Sequence, residues 1–281
     1  MSNISPRQKL KLHISTCPND TFMFDALLHG RLTPPLSFDT ELTMSDIEDL
    51  NKSVLTGEPD ISKISYAVYP QIADNYVLLD SGSALGYGNG PLLVSRRKIY
   101  PDEVADATIA IPGDHTTARL LLRHAFGNKL RTREYLFCHI AEAVLDDEAD
   151  AGVLIHEERF TYAGKGLRLV ADLGSLWEQS TSLPIPLGAI VAHRRLGEET
   201  IRRAEEDIRR SVAYAMENPG DSYSFVRDNA RELSDEVVRK HIDMFVNKFS
   251  LSLNDEGRDA VRRLLAEDGF ADRDDIWLKN R

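Results

Sequence analysis

Apolar and polar positions alternate along this chain in two α/β units, followed by a helical tail. Leu10 to Ile14 is a compact apolar run that predicts a strand, and the turn Cys17-Pro18-Asn19-Asp20 leads into a helix from about Thr21 to His29, closed by Gly30. Leu36 to Leu42 predicts a second strand. Ser45-Asp46-Ile47-Glu48 has capping-box spacing and opens a helix ending near Gly57. Asp60 to Ile64 predicts a third strand, and Ser65 begins another helical turn. Tyr76 to Asp80 and Pro91 to Ser95 predict two more strands, on either side of a glycine-rich loop. The second unit repeats the alternation: a strand at Thr108 to Ile111, a helix at Thr116 to Phe126, a strand at Tyr135 to Phe137, a helix at Ile140 to Asp146, and strands at Ala151 to Ile155 and Pro184 to Ala192. Such alternation implies largely parallel sheets with helices on their faces.

From Gly197 the period lengthens to that of helices, over Glu198 to Glu217, Asp221 to Asn229, Ser234 to Lys248 and Asp255 to Ala266. Ile201, Ala204, Ile208, Val212 and Ala215 form one apolar stripe, and the charged residues between them read as a solvated face. Two α/β units with a helical tail predict two lobes around a ligand cleft. The large lobe is discontinuous, residues 1–93 plus 194–281, and the small lobe is 94–193, with crossings near Leu92 to Arg97 and Ile190 to Arg195. This layout resembles the type 2 periplasmic-binding-protein fold.

The chain has 281 residues, enough for two lobes, and a net charge of −11, which argues against a nucleic-acid partner. It does not exclude a small anionic substrate. Two cysteines, Cys17 and Cys138, give no disulfide framework, and no Cys/His spacing suggests a metal. No apolar run is long enough to span a membrane, and Met1 to Lys11 lacks the pattern of a secretory signal. The expectation is a cytoplasmic protein with no membrane partner.

The stretch Asp150-Ala-Gly-Val-Leu-Ile-His156-Glu157-Glu158-Arg159-Phe160 carries the most chemistry. A short apolar strand stops at His156, and ligand crevices of open α/β sheets lie beyond the carboxyl ends of strands. Histidine moves protons near neutral pH, though at a strand end it can also merely hold a loop carbonyl. In the turn ahead of the first helix, Asn19, Asp20 and Thr21 serve as caps, as ligand contacts, or as both. Cys17 sits where a helix end favours thiolate, yet a lone cysteine is most often inert. Lys63-Ile64-Ser65-Tyr66 ends the third strand, where Lys63 can neutralise an anion and Ser65 can hydrogen-bond it. His115-Thr116-Thr117-Ala118 repeats the strand–turn–helix logic in the second unit, so each lobe offers a cradle for a polar group. The loop Ser81 to Pro91 contains Gly-x-Gly-x-Gly but leads into a strand, which rejects a nucleotide loop; it suits close backbone approach or lobe motion. Ser182 to Ile190 is a proline-stiffened apolar stretch suited to a pocket wall, to core packing or to a hinge.

Cys17-Pro18-Asn19-Asp20-Thr21-Phe22, Lys63-Ile64-Ser65-Tyr66, His115-Thr116-Thr117-Ala118, Ile155-His156-Glu157-Glu158-Arg159-Phe160-Thr161-Tyr162, Leu183-Pro184-Ile185-Pro186-Leu187-Gly188 and Val246-Asn247-Lys248-Phe249-Ser250 follow one another in order. Together they resemble the 1,4-dihydroxy-6-naphthoate synthases of the futalosine route to menaquinone. The resemblance implies a lyase that converts cyclic dehypoxanthinyl futalosine to 1,4-dihydroxy-6-naphthoate without a cofactor. It places the proton acceptor at His156 and substrate-binding segments at Lys63, Ile64 and Ser65 and at Thr116 and Thr117; Asn19 and Arg159 complete the candidate contacts. It leaves room for a homodimer. Two alternatives stand beside it: a non-catalytic small-anion binding protein of the same fold, and the related chorismate dehydratase.

Overall fold

A computed structural model describes residues 7–230 and 232–278. The first half begins with β1 (Lys9–Ser15), α1 (Pro18–Leu28), β2 (Asp39–Ser45), α2 (Ile47–Leu55), β3 (Ile61–Ser65), a short α3 (Tyr69–Ile72), β4 (Tyr76–Leu78) and β5 (Ala84–Gly86). The second comprises β6 (Leu92–Ser95), β7 (Thr108–Ile111), α4 (Thr117–Phe126), β8 (Arg131–Glu134), α5 (Ile140–Leu145), β9 (Ala151–Leu154), α6 (Glu158–Thr161), β10 (Arg168–Asp172) and α7 (Leu173–Thr181). The chain returns through β11 (Ile185–His193) into α8 (Glu198–Glu217), α9 (Tyr223–Asn229), α10 (Asp235–Phe245), α11 (Lys248–Leu251) and α12 (Asp255–Ala266).

The strands form two mixed sheets, ordered β2-β1-β3-β11-β4 with β5 also on β11, and β10-β6-β9-β7-β8. β1 is parallel to β2 and β3, and β7 is parallel to β8 and β9, as alternation demands. β11 and β6 run antiparallel to their neighbours, so neither sheet is as parallel as the sequence pattern predicts. These are the strands where the chain changes sheets. β6 already belongs to the second sheet and β11 to the first, so the connections fall in residues 87–91 and 173–184, earlier than the sequence places them. A buried strand and a buried connection are both short apolar runs, and periodicity alone does not separate them. The connections touch: a Cβ on Gly174 would lie 2.7 Å from the Gly90 Cα and 2.7 Å from Ile185 Cδ1.

Local chemistry explains the element ends. α1 starts at Pro18, not Thr21, because proline at the first helical position costs no hydrogen bond and its φ is already helical. Asp46, not Ser45, caps α2, accepting from the Glu48 amide at 2.8 Å, so Glu48 does not close a capping box and its carboxylate is free for another role. Thr116 caps α4 and Ser234 caps α10 through their hydroxyls. The longest apolar core passes through both halves, joining Ile64 and Val191 of the first sheet to Ile109 and Val153 of the second, with Trp177 and Leu264. The α8 stripe from Ile201 to Ala215 packs with Phe24 and Leu27 of α1 in another core.

Candidate active site

Between the halves lies a crevice. Its walls come from the carboxyl ends of β1, β3 and β9 and from the starts of α1 and α4. They include Asn19, Lys63, Ser65, Thr116, Thr117 and His156. Four segments far apart in sequence thus converge, since the end of β1 and the start of α1 are one stretch.

The floor is a buried polar network. Lys63 Nζ lies 2.9 Å from Asp20 Oδ1, with side chains only 5% and 1% exposed. Asp20 does not cap its own helix; its carboxylate also accepts from the Ser15 hydroxyl at 2.6 Å and from Asn19 Nδ2 at 2.8 Å. A buried charge needs such pairing. The Lys63 ammonium additionally donates to the Gly82 carbonyl at 3.3 Å, which places part of the glycine-rich loop against the site. Ser65 is held on both sides by Asn51, whose Nδ2 donates to the Ser65 hydroxyl at 3.1 Å and whose Oδ1 accepts from the Ser65 amide at 2.8 Å.

His156 enters from the second half. It follows β9 with φ of +53°, a left-handed conformation that is uncommon outside glycine and costs free energy that surrounding structure must supply. Both ring nitrogens lie 3.7 Å from Cys17 Sγ. The Phe137 ring meets it edge-on, with centroids 5.0 Å apart, and the His241 ring stacks on it at 5.8 Å. Burial among these groups pushes the imidazole below its ordinary value; Glu157, Asp46 and Asp20 pull the other way, and Lys63 adds to the fall. A ring held below that value is a neutral imidazole at physiological pH. Burial pushes the Cys17 thiol well above its ordinary value, reinforced by the nearby Glu157 and Asp20 charges. This outweighs any helix-end effect, so Cys17 is a protonated thiol and not a thiolate nucleophile.

The Thr116 hydroxyl donates to the Gly113 carbonyl at 2.8 Å and accepts from the Arg119 amide at 3.3 Å. Thr117 has a role that sequence does not predict. Its hydroxyl donates to the Leu187 carbonyl of β11 at 2.9 Å and accepts from the Ala67 amide at 3.3 Å, tying α4 to the first half. His115 is not a wall residue; its Nδ1 sits 2.6 Å from Glu48 Oε1, in a second tie between the halves.

Two expected contacts are placed elsewhere. Ile64 is fully buried in the core, because the alternation of β3 turns Lys63 and Ser65 to the crevice and the residue between them away. Arg159 Nη1 donates to the Gly88 carbonyl at 2.8 Å and touches Met244 Sδ, away from the crevice walls. Its guanidinium steadies the glycine-rich loop. Ile47, Asn89, Pro91 and Phe245 line the crevice without having been singled out in the sequence. Phe245 ends a helix more than two hundred residues from the first wall residue, and no local motif marks it. Among the described residues, no group of three or more His, Cys, Asp and Glu is disposed to hold a metal ion. No described helix is long and apolar enough to cross a membrane.

Two mixed sheets flanked by helices, with a crevice between them, define a protein of the periplasmic-binding-protein-like class. Solved structures agree. A ligand-binding component of an ABC-type import system from Staphylococcus aureus superposes with a TM-score of 0.71 at 13% identity, covering 97% of each chain. A Candida albicans protein described as having the generic periplasmic-binding-protein fold gives 0.67 at 14% identity, covering 95% of this chain and 92% of that one. These likenesses establish the fold alone. Sequence goes further: residues 10–267 match the family described as menaquinone biosynthesis, and the chain belongs to it. It is 46% identical over 260 residues to a Thermus thermophilus protein named 1,4-dihydroxy-6-naphthoate synthase, covering 92% of this chain and 94% of the relative. A Streptomyces coelicolor protein of the same name is 41% identical over 261 residues, covering 91% of each.

Proposed function

We propose that this chain converts cyclic dehypoxanthinyl futalosine to 1,4-dihydroxy-6-naphthoate as a carbon–carbon lyase, with His156 as its base. The observation that carries the reading is the placement of His156: neutral, at the end of β9, strained in φ, and facing a crevice whose walls mix hydroxyls, an amide and a buried ammonium with apolar groups such as Ile47, Leu187 and Phe245. His156 takes the proton of a substrate hydroxyl. The alkoxide pair forms a carbonyl as the adjacent carbon–carbon bond breaks in a retro-aldol sense, and the substrate's own carbonyl receives the released electrons as an enolate. Protonation of that enolate by the imidazolium restores the base, and aromatisation of the new ring draws the step forward. A base and the substrate's own electron sink suffice, so the reaction is written without a cofactor. Lys63 and the α4 start supply donors to the polar ends of the substrate, and closure of the halves keeps water out.

The familiar alternative of a binding protein without chemistry is separated by one assay. The purified protein is incubated with cyclic dehypoxanthinyl futalosine, and product is followed by its naphthoate absorbance and by mass. Conversion is expected. Tight binding with no product would overturn the lyase reading in favour of a binding protein, and dehydration of chorismate would reassign the chain to the related enzyme.

A further inference from the structure

Four rings line up across the seam between the two halves. Phe137 and His156 come from the second half, His241 and Phe245 from α10. His156 and His241 are nearly parallel, with an interplanar angle of 15°, and His241 leans on Phe245 with centroids 4.6 Å apart. A histidine base is ordinarily oriented by a hydrogen bond from its second nitrogen to a carboxylate or carbonyl. Among the described residues, His156 makes no such bond; its only polar neighbour at hydrogen-bonding range is the Cys17 sulfur. Ring packing must therefore fix its plane.

His241 is fully buried and lines no wall of the crevice. Its own orientation is set by a hydrogen bond at 2.9 Å to Asn19 Oδ1. Asn19 spends its Nδ2 on Asp20, so its oxygen accepts and His241 Nε2 donates. His241 Nδ1 is then the bare nitrogen, buried without a hydrogen-bond partner, 3.6 Å from Glu157 Oε2. A buried histidine at this position is dear: phenylalanine would stack equally and leave no orphaned nitrogen. The hydrogen bond to Asn19 fixes the plane of the His241 ring, and so the face that it presents to His156.

We propose that His241 is a positioning residue whose ring face holds the His156 imidazole in the plane from which it takes the substrate proton. The proposal rests on His156 being the base. Loss of the face leaves the imidazole free to turn, and misplacement by about 1 Å costs roughly 10²-fold in rate. The test compares His241→Leu, His241→Gln and His241→Phe with the wild-type chain and with His156→Asn, each checked for a cooperative melt. His241→Leu keeps volume without a ring, and His241→Gln keeps a donor without a ring. Both are expected to lower kcat by about 10- to 100-fold with KM within about threefold. His241→Phe restores the face and should stay within about fivefold of wild type. The double variant His156→Asn/His241→Leu should be no slower than His156→Asn, because His241 acts only through His156. A Phe variant as slow as Leu and Gln, a rise in KM with unchanged kcat, or an additive double variant overturns the positioning role. Normal turnover by His156→Asn would instead overturn the base assignment, and with it the purpose of the stack. If the Leu variant does not fold, the Gln and Phe pair still decides the matter.

Discussion

At the scale of residues, the site is a set of groups kept from their ordinary behaviour by burial. His156 and His241 both titrate below the ordinary histidine value near 6.5, chiefly through burial; His241 is further lowered by the neighbouring His156 and Lys63. The unfolded chain binds protons at these rings first as pH falls, so between the unfolded and folded values it holds more protons than the native state. Stability is therefore unaffected above about pH 7 and declines as pH drops below about 6.5, levelling off only once the folded rings protonate. Urea midpoints measured from pH 7.5 to 5 should show this decline, and His241→Phe should flatten it. An unchanged slope in that variant would mean that His241 is not held neutral. Activity follows the same sign. The base must be neutral, so kcat/KM should fall on the acid side with an apparent pKa below 6.5. A limb above that value would contradict the burial of His156. The positive φ of His156 points the same way, since a structure maintains a strained residue only where its surroundings over-determine it.

Elements carry these residues to one place, and they differ in how far sequence reveals them. At the contact of the two connections, Gly174→Ala would set a methyl against Gly90 and Ile185, and a loss of about 1–3 kcal/mol is expected from such overpacking. A thermal midpoint unchanged within a degree would show that the backbones can separate freely. Thr117→Val should cost about 1–3 kcal/mol by leaving the Leu187 carbonyl and Ala67 amide unsatisfied, read as a lower urea midpoint. β1, β3, β4, α8 and α12 were legible as apolar runs or stripes, whereas β2 (Asp39–Ser45), with no buried residue, extends beyond the predicted Leu36 to Leu42. β8 was displaced onto Tyr135 to Phe137 because the true strand, Arg131–Glu134, is a charged edge whose pairing is made by backbone alone. β5 lies hidden in the glycine-rich loop, and β10 and α7 fall outside the predicted elements; β10 is another edge strand, with no fully buried residue. The wall residues that follow strands or begin helices, His156, Lys63, Ser65 and the Thr116–Thr117 pair, were legible from local punctuation. Asn51, His241 and Phe245 were not, since they join the site only through tertiary contact.

On the scale of the whole molecule, the site exists only while the two halves are together. His156 and Phe137 come from one half, the Cys17 sulfur and the His241 ring from the other, and the same seam holds the Thr117–Leu187 and Glu48–His115 ties. Glu48 accepts from both the His115 ring and its backbone amide, so Glu48→Ala removes a charge-assisted clasp of about 2 kcal/mol. Small-angle scattering should then show a larger radius of gyration without substrate, and KM should rise about tenfold with kcat little changed; equal compactness and KM would show that the clasp does not govern closure. The chemistry itself is tested most directly by the turnover of His156→Asn on cyclic dehypoxanthinyl futalosine, in protein shown to melt like wild type. A fall in kcat of about 10²–10⁴ is expected of a lost general base, whereas turnover within a fewfold of wild type would contradict the role assigned to His156.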